Sequence, residues 1–370
     1  MRLSFFLIFF MLFINSFAQE KYLFIGTYTG KGSKGIYVYR FNTNSGEATW
    51  VSNTDSAANP SFLSVSPDSR FLYAAYETGG KKPGEIGAYS FDKTTGQLQF
   101  INKQPSGGDN PCFVASSSNN KWVLAANYGG GSLAAFPINR DGSLQPSAQV
   151  IQHSGSSITK GRQEKPHVHS TFFSPNEDHV LVPDLGTDKL MIYKFNGKAV
   201  KPLQPAQPSF AASKPGSGPR HLTFSKDSKF VYLIQELSGS VAVYKYNKGK
   251  LTFIQDIITH PEEYKGQPGS ADIHISLDGK FLYASNRGEE NTITIFSIDK
   301  ISGKLSLVGY QSTMGKAPRN FMIDPTGNFL LVANQNTNNI VIFKRDKKTG
   351  LLAPTGKQIE IPNPVCLKMQ

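Results

Sequence analysis

The chain repeats itself. Asn59-Pro60-Ser-Phe-Leu-Ser-Val-Ser-Pro-Asp-Ser-Arg-Phe71-Leu-Tyr-Ala-Ala-Tyr-Glu77 aligns without a gap on Gly218-Pro219-Arg-His-Leu-Thr-Phe-Ser-Lys-Asp-Ser-Lys-Phe230-Val-Tyr-Leu-Ile-Gln-Glu236. Further copies begin at Pro111, Pro166, Ser270 and Pro318, so that successive spacings are 51, 55, 53, 51 and 48 residues. A fixed period of this length means one supersecondary unit used over and over, each copy burying its apolar face against the next. Gly and Pro are spread evenly and no linker-like stretch divides the chain, which favours one domain over the two or three that 370 residues would otherwise suggest.

Each copy reads as four short strands. An alternating run follows the Pro, then a turn such as Ser66-Pro-Asp-Ser-Arg70, then Phe71-Leu-Tyr-Ala-Ala, Ile86-Gly-Ala-Tyr-Ser-Phe and, after Thr95-Gly96, Leu98-Gln-Phe-Ile. Aromatic and β-branched residues dominate these runs and no helical period competes with them, so the fold class is all-β. The chain ends supply a seventh copy. Tyr22-Leu-Phe-Ile-Gly-Thr-Tyr, Gly35-Ile-Tyr-Val-Tyr-Arg-Phe and Gly46-Glu-Ala-Thr-Trp-Val supply second to fourth strands, and Asn363-Pro364-Val-Cys-Leu-Lys-Met369 repeats the missing first strand. A last strand completing the first unit is how a ring closes and leaves no open sheet edge. The expectation is a seven-bladed β-propeller of about 50 residues per blade, closed by the C-terminal strand pairing into the N-terminal blade; the alternative is a six-bladed ring with frayed ends.

Residues 1–18 stand outside the repeat. Met1-Arg2, the apolar run Leu3 to Ile14 broken only by Ser4, and small residues at Ser16 and Ala18 match a secretory signal cleaved after Ala18. The run is shorter than the roughly 20 residues that span a bilayer, which argues against an uncleaved anchor. A periplasmic or secreted protein, residues 19–370, with no membrane attachment after cleavage is expected. Two Cys cannot build a disulfide framework, and no Cys/His cluster has metal-ligand spacing, so no metal or other cofactor is expected; Cys112 and Cys366 read as buried free thiols. The 39 Lys+Arg against 27 Asp+Glu give a net charge of +12, but Lys81-Lys82, Lys226 to Lys229 and Lys344 to Lys348 read as solubilising turns. Without an aromatic-interleaved basic stripe, nucleic-acid binding is not expected.

In a propeller the loop entering the first strand and the loop leaving the second lie on one face of the central channel, where a shared site forms. The first position reads Pro60-Ser, Pro111-Cys, Pro166-His-Val-His169, Pro219-Arg220-His221, Ser270-Ala-Asp272, Pro318-Arg319-Asn320 and Pro364-Val. The second reads Thr27/Tyr28, Tyr76/Glu77, Asn127/Tyr128, Asp184/Leu185, Gln235/Glu236, Asn286/Arg287 and Asn334/Gln335. His167, His169, Arg220, His221, Glu236, Arg287 and Arg319 thus crowd the side formed by the fourth to seventh blades. Any one of them has a structural explanation in an ion-pair network; the cluster as a whole points to a site for an anionic ligand. The fourth copy carries two extra residues here, which shifts the register of its histidines.

At these residues the sequence resembles the propeller lactonase family, which includes propeller-type 6-phosphogluconolactonases and the fungal 3-carboxy-cis,cis-muconate lactonising enzyme. The resemblance runs from Tyr22 to Pro364, and its most specific pieces are Pro166-His-Val-His-Ser, Gly218-Pro-Arg-His-Leu, Gln235-Glu236-Leu-Ser, Ser285-Asn-Arg-Gly288 and Pro318-Arg-Asn-Phe. It implies a catalytic set of one His from His167-Val-His169, with His169 preferred, together with Arg220, Glu236 and Arg287. His167, His221, Asn286, Arg319 and Asn320 are expected to bind substrate. A neutral His beside Glu236 activates water, and arginines stabilise the oxyanion or hold a carboxylate or phosphate. The implied partner is a small anionic or sugar lactone, hydrolysed by a monomer. Cycloisomerisation of muconate type uses the same groups in reverse, and a non-enzymatic periplasmic propeller binding an anionic ligand or a protein is the remaining alternative.

Overall fold

The computed structural model describes residues 20–30, 32–55, 57–79 and 84–370; residues 1–18, where a secretory signal is expected, and Lys81-Lys82 lie outside the described residues. Among the described residues there is no helix, and seven four-stranded antiparallel sheets follow one another along the chain. Blade 2 is typical, with Pro60–Val65, Phe71–Tyr76, Glu85–Asp92 and Gln97–Pro105 from the axis outward. Blade 1 takes Glu20–Thr27, Tyr37–Asn42 and Ala48–Asn53 from the N-terminal end and its innermost strand, Pro364–Met369, from the C-terminal end. Leu23 pairs with Met369, Ile25 with Leu367 and Thr27 with Pro364, so the ring is closed by seven blades rather than six.

Local chemistry explains the elements. In blades 2, 5 and 6 the turn after the first strand is built on Ser-x-Asp: Ser66 Oγ donates to Asp68 Oδ1 at 2.7 Å and accepts from the Phe71 amide at 2.9 Å. The same bonds recur at Ser225/Asp227/Phe230 and at Ser276/Asp278/Phe281. The hydroxyl and carboxylate replace ladder partners that the reversing chain gives up. Second strands, sandwiched between neighbouring blades, are buried on both faces and therefore apolar over most of their length, as in Phe71–Tyr76 and, up to its last residue, Phe230–Gln235. Outermost strands such as Gln97–Pro105 alternate in exposure because one face meets water.

The first strands carry the feature that builds the mouth of the channel. In six blades the register slips by one residue near the start of this strand, between Pro60 and Phe62, Pro111 and Phe113, Pro219 and His221, Ser270 and Ile273, Pro318 and Asn320, and opposite Gly26/Thr27. Such a bulge turns two successive side chains toward the axis where a regular strand would turn one. In blade 4 Val168 bridges Asp184 and Phe172 pairs with Leu181, which is the same count. Val168 therefore stands where Pro219 stands, and this absorbs the two extra residues. His169 falls in line with Cys112, Arg220 and Arg319, and Ser170 with His221.

Below this level the channel is stoppered. Phe62 stacks on Phe113 with centroids 4.1 Å apart, Phe113 meets Phe172 at 4.9 Å, and the His221 ring stands edge-on to Phe62 at 5.8 Å and to Phe113 at 5.4 Å. An aromatic floor thus spans blades 2 to 5, and the mouth above it is a cup.

Candidate active site

The seven residues that follow the second strands ring the cup: Tyr28, Glu77, Tyr128, Leu185, Glu236, Arg287 and Gln335. Each is pinned by its amide, which donates to the residue just before or at the start of its own blade's first strand; for Glu236 the acceptor is Gly218 O at 2.7 Å. Gly218 sits at φ +67°, the left-handed region that glycine enters without penalty and that Asn59, Asn110 and Asn363 occupy in other blades. The residues one position earlier, Thr27, Tyr76, Asn127, Asp184, Gln235, Asn286 and Asn334, are buried inside the blades.

Glu236 is the hub. Its Oε2 accepts from Arg220 Nε at 2.9 Å and lies 2.9 Å from Arg287 Nη2, while Oε1 accepts from Arg162 Nη2 at 2.5 Å. Burial by itself would raise this carboxyl. Arg287, Arg220, His169 and Arg162 outweigh it and hold the group well below the usual carboxylate range, so Glu236 is an anion at neutral pH and a weak base. Arg220 is 1 % exposed, also donates to Ala271 O, and is pulled down to about 10 by burial and by Arg287 and Arg319. It lies beneath the carboxylate, an anchor for Glu236. Of the three arginines on Glu236, Arg287 and Arg162 keep solvent-accessible side chains, at 20 % and 41 % exposure.

His169 Nε2 faces Glu236 Oε2 across 3.9 Å, too long for a hydrogen bond and open to an oxygen atom that reaches both. Burial, then Arg220 and His221, drive its pKa well below the ordinary histidine value despite Glu236, so the ring is neutral. Cys112 donates its thiol to His169 O at 3.2 Å and, with its pKa pushed up to about 12 by burial, stays protonated. His167 is placed differently. Its ring stacks on Tyr128 with centroids 4.4 Å apart and its Nδ1 donates to Tyr128 O at 2.9 Å, while its amide donates to Asp184 Oδ1. Of the two histidines of His167-Val-His169, the fold brings His169 to Glu236.

A sevenfold ring with an arginine-bound glutamate facing a neutral histidine invites comparison with known proteins. The family described as "Lactonase, 7-bladed beta-propeller" matches residues 22–369. The chain belongs to this family. The lactonase is 42% identical to a 6-phosphogluconolactonase of Formosa agariphila over 349 residues, covering 94% of this chain and 99% of the relative. It is 37% identical to a 6-phosphogluconolactonase of Bacillus subtilis over 353 residues, with 95% and 99% covered. The solved structure of a periplasmic gluconolactonase from Pseudomonas aeruginosa matches with a TM-score of 0.91 and 38% identity, over 95% of this chain and 99% of that one.

The remaining residues singled out in the sequence fall into three groups in the lactonase. His221 belongs to the floor: it shares its Nδ1 with Asp272 Oδ1 at 2.9 Å, and burial and Arg220 pull it down to about 4. Arg319 lies over the Tyr28 ring, 5.6 Å from the centroid, and 3.8 Å from Glu77, across the cup from Glu236. Asn286 and Asn320 do not reach the cup. The Asn286 amide is spent on Thr259, Ser270 and Thr294 inside blade 6, and Asn320 bridges Asp272 and the Leu367 amide. Arg162 escaped the positional reading, because it comes from the long excursion between Gln149–Gln152 and Phe172–Phe173 that has no counterpart in other blades. The signal that was available is the run Lys160-Gly-Arg162 directly before the histidine motif.

Replacing Glu236 by Gln is expected to cost the lactonase about 3–5 kcal/mol of stability at pH 7, because three guanidinium groups lose their shared anion. Since the folded pKa is depressed, this stabilisation is complete above the unfolded value near 4.3 and fades as pH falls through the folded one. Urea melts should therefore show a wild-type advantage that narrows on acidification; a gap independent of pH would contradict the assignment.

Proposed function

We propose that this lactonase opens a gluconolactone-type sugar lactone with water, using His169 as general base and Glu236 with the exposed arginines as its electrostatic frame. The observation that carries the reading is the pairing of a buried, neutral His169 with a Glu236 that is ionised at neutral pH, across 3.9 Å. His169 takes a proton from water as the oxygen bonds to the lactone carbonyl carbon, and the imidazolium so formed faces the Glu236 carboxylate. The carbonyl oxygen, now an oxyanion, is met by Arg287, which keeps donors beyond those given to Gly269 O and Glu236. When the tetrahedral adduct collapses, the ring C–O bond breaks and the imidazolium returns its proton to the departing alkoxide. The product is the hydroxy acid, and no atom is left unaccounted for.

The names of the relatives share the gluconolactone ring, which supports that ring as the substrate core. Residues 1–18 favour an exported enzyme, acting outside the compartment where sugar phosphates are made, and a metal has no part in the scheme because His169 and the arginines supply both proton transfer and charge. The test is an assay of the purified protein on glucono-1,5-lactone and its 6-phosphate, with and without chelator. Hydrolysis of the unphosphorylated lactone, unchanged by chelator, is expected; inactivity on both, or activity lost to chelator and restored by zinc or magnesium, would overturn the reading.

Arg162 stands at the rim and is the cation that a remote phosphate would meet first. Arg162→Ala is expected to raise KM for the 6-phosphate several-fold more than KM for the plain lactone, with kcat changed less. Such a split is the signature of a contact made equally in bound substrate and transition state. Equal effects on both lactones would assign Arg162 to holding Glu236 alone.

A further inference from the structure

On the face opposite the cup, the repeat provides its own comparison. Between blades 6 and 7, Arg345 is 4 % exposed and threads into a socket. Its Nε donates to Tyr283 Oη at 2.8 Å, Nη1 to Gly327 O at 3.1 Å, and Nη2 reaches Asp278 Oδ2 at 3.5 Å. Tyr283 passes its own hydroxyl proton to Gly350 O at 2.7 Å, and the guanidinium lies over the Phe281 ring at 5.7 Å. One blade earlier every wall of that socket is repeated and the arginine is missing. Tyr232, Phe230, Asp227, Gly279 and Gly303 stand where Tyr283, Phe281, Asp278, Gly327 and Gly350 stand, and Ile298 replaces Arg345, as its amide bond to Lys280 O matches that of Arg345 to Asn328 O.

What is left is a cavity of about 250 Å³ lined by Phe230, Tyr232, Asp227, Gly279 and Ile298, with Lys226 and Lys300 also on its wall. Tyr232 is 0 % exposed and its hydroxyl has no hydrogen-bond partner among the described residues. A buried phenol left in this state costs free energy that a ligand able to bond it recovers. The third tyrosine at this position, Tyr73, is satisfied by Gly142 O at 3.2 Å, and its turn carboxylate, Asp68, already holds the Arg70 guanidinium at 2.7 Å. At Asp227 the corresponding partner is the ammonium of Lys229 at 3.3 Å, an exposed pair of the kind that contributes little and yields readily.

We propose that the cavity between blades 5 and 6 is a binding site for a guanidinium group, entering where Arg345 enters the next blade. Its planar fork places one N–H on Tyr232 Oη, one on Gly279 O and one on Asp227, above the Phe230 ring. The lysines do not forbid this. Lys300 is the counterpart of Lys347, which sits beside Arg345 against the same Gly327, and Lys226 Nζ is engaged with Leu277 O at 2.8 Å. The shared chemistry has two sources, a free small guanidine or an arginine side chain on a partner protein.

The experiment is calorimetric titration of the folded lactonase with N-propylguanidinium, with N-propylurea as the neutral isostere, and with the blocked tripeptide acetyl-Gly-Arg-Gly-amide. Saturable millimolar binding of propylguanidinium is expected, at least tenfold tighter than the urea. It should be weakened roughly five- to tenfold by Tyr232→Phe, the usual value of one such bond, and abolished by Ile298→Arg, which supplies the occupant from within. Lactone hydrolysis should be unchanged in Ile298→Arg. Tighter binding of the tripeptide points to a protein partner, and binding of propylguanidinium alone to a small guanidine. Absence of saturation, equal binding of the urea, or undiminished binding in a folded Ile298→Arg protein would overturn the proposal. Should that variant fail to fold, undiminished binding in Asp227→Asn would do the same.

Discussion

Replacement of His169 by Ala is expected to lower kcat on gluconolactone by about 10²–10⁴-fold, the range lost when a positioned general base is removed. The fold should survive, because His169 receives the Cys112 thiol through its backbone carbonyl and Ala keeps that acceptor. The pH profile is the sharper readout. Burial and neighbouring positive charge hold His169 well below the ordinary histidine pKa, so the base is competent above that low value and activity declines only as pH falls through it. The wild-type acidic limb should therefore lie below pH 6.5, the unperturbed histidine value, and should be missing from the residual rate of His169→Ala. His167→Ala, which removes a ring stacked on Tyr128, should cost far less. If the two losses were equal, or if the acidic limb survived in His169→Ala, the base would have to be sought elsewhere in the cup.

Deletion of residues 362–370 is expected to abolish cooperative folding at 37 °C or to lower Tm by more than about 10 °C. Val365, Cys366 and Leu367 are at most 2 % exposed and belong to the innermost strand of blade 1. Burial of each such side chain contributes about 1.5–3 kcal/mol, and the ladder to Glu20–Thr27 and the Leu367 bond to Asn320 are lost with them. The sum approaches the whole of a domain's stability, about 5–15 kcal/mol. A truncated protein that melted with the full-length one would mean that the ring holds without its closure.

The architecture was legible because it is periodic. Repeats at Pro60, Pro111, Pro166, Pro219, Ser270 and Pro318 account for six blades, and Asn363-Pro364 at the far end of the chain announces the strand that completes blade 1. The same positional logic gathers His167, His169, Arg220, His221, Glu236, Arg287 and Arg319 at one mouth of the channel, and the family resemblance narrows them to His169, Arg220, Glu236 and Arg287. It failed where residues obey other rules. Asn286 and Asn320 occupy ring positions, yet a buried carboxamide seeks four hydrogen bonds, and these two find theirs within and between blades. Arg162 occupies no repeat position at all, so no count along the chain leads to it. Arg220 was legible as a member of the site and illegible as to its depth, since a bulge decides which of two neighbours points up and which sits beneath.

That bulge has a consequence for how a scaffold of this kind changes its chemistry. The bonds that hold each first strand to its blade are made by main-chain atoms, whereas the two side chains turned over the channel contribute nothing to the ladder. One blade spends them on Arg220 and His221, the next on Ala271 and Asp272, another on Ser61 and Phe62, with the same register throughout. Changes at these places rewrite the floor and wall of the cup blade by blade while the main-chain register is kept, and what each change costs is set by the buried partner it leaves behind, Glu236 for Arg220 or Asp272 for His221.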